Sequence, residues 1–293
     1  MKDISESDLK NNLKLVARQS RDHRTVVRVR DVSFGDNNFV VMAGPCAVES
    51  REQVMDIALN VSARGADMLR GGAYKPLTFP YRSDSMFELG EKGVRYLAEA
   101  GRRAGLPTVS EVTDVRRVTQ MAEHIDMLQI GSRNMQNFPL LEEVARSGRP
   151  VLLKRHFGSS LRDWLGAAEY LLHHGNNQVV LCERGITVPH THFPTSRFVV
   201  DLQVVLAARE TSHLPIVIDP SHSTFRRSFV APVSRAALAI GADGIILDVH
   251  PEPEIAAVDP LQALSYDAFG ELMDELRGVG SVLNRCLKPS TEL

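Results

Sequence analysis

No run in this chain comes near the roughly 20 consecutive apolar residues that a spanning helix requires, so no transmembrane segment is expected. The opening stretch from Met1 to Asp8 is polar and acidic, unlike the apolar centre of a secretory signal. Cysteine is scarce: three residues, an odd number, stand far apart at Cys46, Cys182 and Cys286. That spacing supports no disulfide framework, and a reducing cytoplasm is the expected setting. An excess of charge is missing too. The formal net charge of -2 gives no bulk pull toward nucleic acid or a membrane surface, so any anion must be held by a local cluster of Arg and Lys. A glycine-rich turn after the first strand-like run is also lacking, and a doubly wound dinucleotide-binding sheet would carry one.

What is present is a regular alternation. The chain has 293 residues, enough for one large α/β domain with a buried core. Apolar, β-branched runs at 39–43, 67–70, 107–112, 125–130, 150–154, 178–182, 215–218 and 244–249 read as strands. Helical spacing fills 53–63, 90–104, 115–124, 140–146, 161–173, 198–209, 234–240 and 261–276. The strand runs are short and apolar throughout, as expected of parallel strands covered on both faces. The repeated strand–helix unit predicts a (β/α)8 TIM barrel, with residues 39–287 as its catalytic body. Residues 1–38 lie outside the repeat. Thr25 to Val32 alternates as a strand and Gly35-Asp-Asn-Asn38 is a turn signal. Together they predict a short β-hairpin extension closing the bottom of the barrel. Residues 288–293 are expected to form a frayed tail.

In such a barrel the active site lies at the C-terminal ends of the strands. Those positions hold Cys46, Arg70 with Lys75, Glu111, Arg133, Lys154 with Arg155, Glu183 with Arg184, Asp219 with His222, and Asp248. Two subsites follow from residue type. Arg70, Lys75, Arg133, Lys154 and Arg184 form a cationic group suited to a small, highly charged anion. Cys46, His222, Asp248 and Asp259 offer a thiolate, an imidazole and two carboxylates, a set suited to a divalent first-row metal that could polarise a carbonyl. A plainer reading stands beside this one. The cysteine could be core packing, and the cations could be interlocked with Glu111, Glu183 and Asp219.

These residues lie in stretches that resemble the 3-deoxy-D-arabino-heptulosonate 7-phosphate (DAHP) synthases, of the short microbial type related to 3-deoxy-octulosonate 8-phosphate synthases. The stretches are Ala43-Gly-Pro-Cys-Ala-Val-Glu-Ser50, Leu69-Arg-Gly-Gly-Ala-Tyr-Lys-Pro76, Gln129-Ile-Gly-Ser-Arg-Asn-Met-Gln-Asn137, Leu152-Leu-Lys-Arg155, Cys182-Glu-Arg-Gly-Ile186, Asp219-Pro-Ser-His222 and Val249-His-Pro-Glu-Pro253. They cover nearly the whole chain after residue 38, in family order. The resemblance implies condensation of phosphoenolpyruvate with erythrose 4-phosphate, in the shikimate route to aromatic amino acids. It implies a divalent cation (Mn, Fe, Co or Zn) on Cys46, His222, Asp248 and Asp259. Arg70, Lys75, Ser132, Arg133, Lys154 and Arg184 would hold phosphoenolpyruvate, and Lys75, Cys46 and His222 would be the catalytic group. Lys75 would move a proton provided its neighbours lower its pKa. A homo-oligomer, dimer or tetramer, is also implied.

The departures from the family pattern gather around the aldehyde acceptor. Where the family usually has Lys-Pro-Arg-Thr-Ser-Pro-Tyr, this chain has Lys75-Pro-Leu-Thr-Phe-Pro-Tyr81, and Thr187 stands where Arg is common. Losing that Arg removes a charge-assisted grip on the acceptor phosphate. Pro76, Thr78, Arg82, Thr187 and Arg197 are the candidate acceptor contacts. Asp248, where Glu is usual, shortens one metal ligand by a methylene. An alternative is therefore the same condensation on a different aldehyde, in a specialised pathway. A non-catalytic ligand-binding barrel and a sugar-phosphate-cleaving aldolase are the readings from other classes.

Overall fold

The structure, a computed structural model, describes residues 4–75, 88–189 and 198–291. In chain order its elements are α1 (Glu6–Asn11), β1 (Val27–Val29), β2 (Val32–Phe34), β3 (Val40–Gly44), α2 (Arg51–Ala63), β4 (Met68–Arg70), α3 (Glu91–Ala104) and β5 (Thr108–Glu111). They continue with α4 (Val118–His124), β6 (Met127–Ile130), α5 (Phe138–Arg146), β7 (Val151–Lys154), α6 (Leu161–His173), β8 (Val179–Glu183) and α7 (Leu202–Thr211). The last are β9 (Ile216–Ile218), α8 (Pro220–Thr224), α9 (Arg227–Ala239), β10 (Gly244–Asp248) and α10 (Tyr266–Val282). Strands β3 to β10 close into the expected parallel barrel, with β10 pairing back onto β3 from Gly244↔Val40 to Asp248↔Gly44. No helix among the described residues is long and apolar enough to cross a membrane.

Two apolar bodies follow from the pleat. Outward strand residues such as Val41, Leu69, Leu128, Leu153, Leu181 and Ile245 pack against the helices, with Trp164 of α6 fully buried among them. Inward residues such as Met42, Met68, Met127, Leu152, Val180 and Ile246 fill the barrel interior. Val27, Val29 and Phe34 of the β1–β2 hairpin join that interior cluster, so the hairpin plugs the N-terminal end of the barrel as expected.

Differences from expectation lie at the margins. The run from Thr25 to Val32 is not one strand: it turns at Arg30, whose φ is 54°, so that Val27–Val29 pairs with Val32–Phe34. The turn signal at Gly35 instead leads into β3, with Asp36 Oδ1 accepting from Asn38 N at 2.9 Å. Helix α1 was not anticipated. Its signal is Ser5, which caps the helix while Asp8 caps back, a short-range pattern without an apolar face. The final segment is tied down rather than frayed up to Thr291, whose N–H donates to Ala63 O at 2.7 Å. α10 starts later than its apolar spacing suggested, because Ser265 caps it, and it runs on to Val282.

Phe34 is fully buried against the barrel floor. Phe34→Ala should lower the unfolding free energy by about 3–5 kcal/mol, read as a shift of the urea midpoint at unchanged slope.

Candidate active site

The pleat decides what reaches the mouth of the barrel. In a strand the side chain two residues past an inward one faces inward again. Interior Met68, Val109, Met127, Leu152, Cys182, Val217 and Ile246 are therefore followed by Arg70, Glu111, Gln129, Lys154, Arg184, Asp219 and Asp248. Apolar floor gives way to a charged rim within one pleat repeat.

The turn after β9 shows how local sequence places a functional side chain. Asp219 is the N-cap of α8 and Pro220 opens the helix, its fixed φ matching the first turn. His222 sits at the third helical position, where its backbone N–H donates to Asp219 Oδ1 at 2.9 Å. The ring Nδ1 lies 2.9 Å from Asp219 Oδ2, which leaves Nε2 aimed at the strand ends opposite. Lys154 Nζ pairs with the same carboxylate at 2.5 Å. Burial works against the Asp219 anion, but His222 and Lys154 overcome it and hold the acid well below the usual carboxylate range. Burial likewise opposes the His222 imidazolium, yet Asp219 and Asp248 outweigh it and raise the pKa to about 9.

Around His222 Nε2 the four predicted metal-ligand types converge. Cys46, His222, Asp248 and Asp259 each offer a donor atom, all within 4.8 Å of one another. Asp259 Oδ2 lies 3.1 Å from Cys46 Sγ and 3.7 Å from His222 Nε2. The side chain of Asp248 is already engaged, by Arg70 on one oxygen and Gln262 on the other. Cys46 and Lys75 can approach because residue 72 is glycine: a Cβ there would meet Cys46 O at 2.6 Å and the Lys75 Cδ at 2.9 Å.

The cations gather beside this cluster. One cavity is lined by Arg70, Lys75, Ser132, Arg133, Lys154 and Arg184, together with Glu111 and Gln129. Lys75 Nζ donates to Cys46 O and Sγ, both at 3.0 Å. Its neighbours do not lower its pKa as the proton-shuttle reading required. Burial disfavours the ammonium, but Cys46 and Asp259 more than compensate, and the pKa is raised. Arg155 stands apart from this group. It is interlocked with Glu183 at 3.2 Å and Asp201 at 2.9 Å, so here the plainer reading holds.

Of the candidate acceptor contacts, Thr187 is exposed and bonded through its N–H to Phe157 O at 2.8 Å, outside the lining of this cavity. Pro76, Thr78, Arg82 and Arg197 lie outside the described residues. The site also has members, in the cavity and beneath it, whose part sequence reasoning did not assign. Asp219 was legible as a strand end, but its grip on His222 was not assigned. Gln129 opens the Gln129–Asn137 stretch, and its side-chain NH2 donates to Glu111 Oε2 in the cavity at 3.2 Å. Phe157 and Phe225 border the cavity from loops, where no periodicity marks them, and Phe198, read at the start of a helical run, lies in the connection before α7, which begins only at Leu202.

In the metal-free protein the His222 ring should titrate near pH 9 by NMR, and Asp219→Asn should bring that value down by about one unit or more. The folded value exceeds the ~6.5 of an unfolded histidine. The ion pair therefore stabilises the fold fully below about pH 6.5 and loses that contribution as pH rises through about 9.

Comparison with known proteins gives the chain a family. The model of the DAHP synthetase I family matches residues 15–283. The chain is 45% identical over 270 residues to the phospho-2-dehydro-3-deoxyheptonate aldolase of Thermotoga maritima, covering 92% of this chain and 78% of that one. It is 31% identical over 279 residues to the 2-dehydro-3-deoxyphosphooctonate aldolase of Syntrophotalea carbinolica, covering 88% and 96%. The crystal structure of the Thermotoga maritima DAHP synthase superposes with a TM-score of 0.87 at 44% identity, over 93% of this chain and 78% of that one. A truncated form of that organism's 3-deoxy-D-arabino-heptulosonate 7-phosphate synthase gives 0.85 at 42% identity, over 94% and 98%. A family match over most of the barrel, with relatives this similar along nearly its full length, makes this chain a member of the DAHP synthetase I family.

Proposed function

We propose that this enzyme condenses phosphoenolpyruvate with erythrose 4-phosphate, giving a 3-deoxy-2-ulosonate phosphate and inorganic phosphate. The observation that carries the reading is adjacency. A cationic cavity fit for a phosphorylated acid opens directly onto a cluster of thiol, imidazole and carboxylate donors. Family membership supports the same reaction.

The donor cluster fits a divalent cation. Cys46, His222, Asp248 and Asp259 would hold it, and the far nitrogen of the His222 ring is tied to Asp219, the arrangement that fixes a ligating histidine. Mixed sulfur, nitrogen and oxygen donors suit Mn, Fe, Co or Zn better than Ca or Mg. When bound, the ion supplies Lewis-acid polarisation of the aldehyde carbonyl.

The chain's own residues do the rest. Arg70, Arg133, Lys154 and Arg184 bind and orient the phosphate and carboxylate of phosphoenolpyruvate. Arg70 Nε is buried with no hydrogen-bond partner among the described residues, a donor left for such an anion. As the enol carbon bonds to the aldehyde carbon, negative charge develops on the aldehyde oxygen, and the Lys75 ammonium, kept charged beside Cys46, stands by to stabilise it, while the proton this oxygen takes comes from the water that adds to phosphoenolpyruvate. Positive charge develops at the central carbon of phosphoenolpyruvate and water adds there. The C–O bond to phosphate then breaks, and inorganic phosphate leaves with its charge balanced by the same Arg and Lys side chains. Residues 39–287 are proposed as the catalytic unit, acting as a cytoplasmic homo-oligomer in keeping with the family resemblance.

Phosphate release, followed continuously, should require both phosphoenolpyruvate and erythrose 4-phosphate, stop on chelation, and return with added Mn or Zn. Release that proceeds without phosphoenolpyruvate would point instead to an aldolase of another class, and binding without release to a non-catalytic barrel. Asp219→Asn should weaken the divalent ion by about 10–100-fold, measured by calorimetric titration of the metal alone.

A further inference from the structure

Three of the four donor residues are placed by the strands beside them. Cys46 follows β3, His222 lies in α8 directly after β9, and Asp248 ends β10. Asp259 has no such support. It stands in the middle of the connection between β10 and α10, residues 249–265, and its backbone is left-handed, with φ 55°. Its Oδ2 nevertheless comes to 3.1 Å from Cys46 Sγ and 3.7 Å from His222 Nε2. Strand register cannot set that position, so other contacts must.

Two side chains from other connections hold it. Arg227, the first residue of α9, donates through its backbone N–H to Leu261 O at 2.8 Å. Its guanidinium reaches Ala263 O through Nε at 2.7 Å and Pro260 O through Nη2 at 3.0 Å, and Nη1 pairs with Glu254 at 2.6 Å. A planar fork can satisfy two carbonyls at once in a way that an ammonium cannot. Glu49 acts on the other flank of Asp259. Its Oε1 accepts from Ala257 N at 3.0 Å. The buried His250 Nε2, which has no hydrogen-bond partner among the described residues, lies 3.7 Å from the same oxygen. Glu49 is itself held, since its N–H donates to Gln53 Oε1 at 3.2 Å beside the Ser50 cap of α2. Asp259 thus sits between anchors at Ala257 and Pro260. One anchor belongs to the connection that carries Cys46 and the other to the connection that carries His222. Neither Arg227 nor Glu49 lines the cavity.

We infer that Arg227 and Glu49 are positioning residues for the metal site: they set where the Asp259 carboxylate stands against Cys46 and His222. The inference rests on the donor cluster holding a divalent cation, as proposed above. A connection left loose would lose its backbone freedom when Asp259 took hold of the ion, and the affinity would fall by that cost. A connection already anchored on both flanks presents the carboxylate in place.

The test titrates Co(II) alone into the metal-free full chain, read by calorimetry and by the visible spectrum, after thermal melts have verified that each variant folds. Arg227→Ala and Glu49→Ala should each weaken Co(II) by about tenfold or more. Their spectra should move toward that of Asp259→Asn, while the sulfur-to-cobalt charge-transfer band from Cys46 persists. Glu49→Gln keeps an oxygen for the Ala257 N–H and should recover most of the affinity. Glu254→Gln breaks only an exposed ion pair and should stay within about twofold of wild type. Added to Asp259→Asn, Arg227→Ala should cost less than about twofold more, because its effect runs through Asp259. A general loss of structure would instead cost the same in both backgrounds. The inference is overturned by affinity within about twofold of wild type in either folded alanine variant, or by equal losses with and without the Asp259 carboxylate. Where Asp259→Asn binds too weakly for that comparison, recovery in Glu49→Gln decides. A wild type that takes up no Co(II) is a separate result: it overturns the metal reading itself, and this inference with it.

Discussion

The carboxylate of Asp219 is buried between the Lys154 ammonium and the His222 imidazole, and it also caps α8. One acid thereby sets the start of a helix, the orientation of a ring and the position of a cation. Charges this deep persist only when paired and hydrogen-bonded, and removing one member of such a pair typically costs about 3–5 kcal/mol. The same logic governs Arg70 with Asp248 and Arg155 with Glu183. The rim of the barrel is thus a set of balanced buried charges. Its net positive members face the cavity, and its acids either brace them or gather around Cys46.

The polar rim was readable from the sequence because strand residues alternate in direction. Once the apolar runs are placed, each run's last inward position is determined, and Arg70, Lys154, Asp219 and Asp248 fall there by counting. Residue type groups Cys46 with Asp259 in the sequence, but no strand or helix period brings them together, since both sit in loops and Asp259 has a left-handed backbone, φ 55°. What escaped was of other kinds. The β1–β2 turn puts Arg30, rather than glycine or asparagine, in a left-handed position, and α1 is too short to show an apolar period. Gln262 reaches Asp248 across the loop after β10, a contact that no spacing rule encodes. The phenylalanines of the cavity come from three connections, where only three-dimensional closure brings them together.

The lining of the cavity sets charged side chains beside aromatic ones. Long-range charge attraction draws in and orients an anion, and is only weakly selective for what else that molecule carries. Contact with rigid aromatic faces acts at short range and discriminates by shape. Strand ends supply the first and loops the second. This matches the usual division in barrels, where the scaffold holds the chemistry and the connections vary the substrate.

The seam where β10 pairs with β3 joins the two ends of the barrel sequence. Cys46 lies just past one side of it and Asp248 ends the other. The donor atoms therefore cannot assemble until the last strand of the barrel has docked beside the first. A cation held there would act as a clasp across the joint, resisting the local opening at which a closed cylinder first comes apart. During synthesis, high-affinity metal uptake would mark the moment at which the circle is complete.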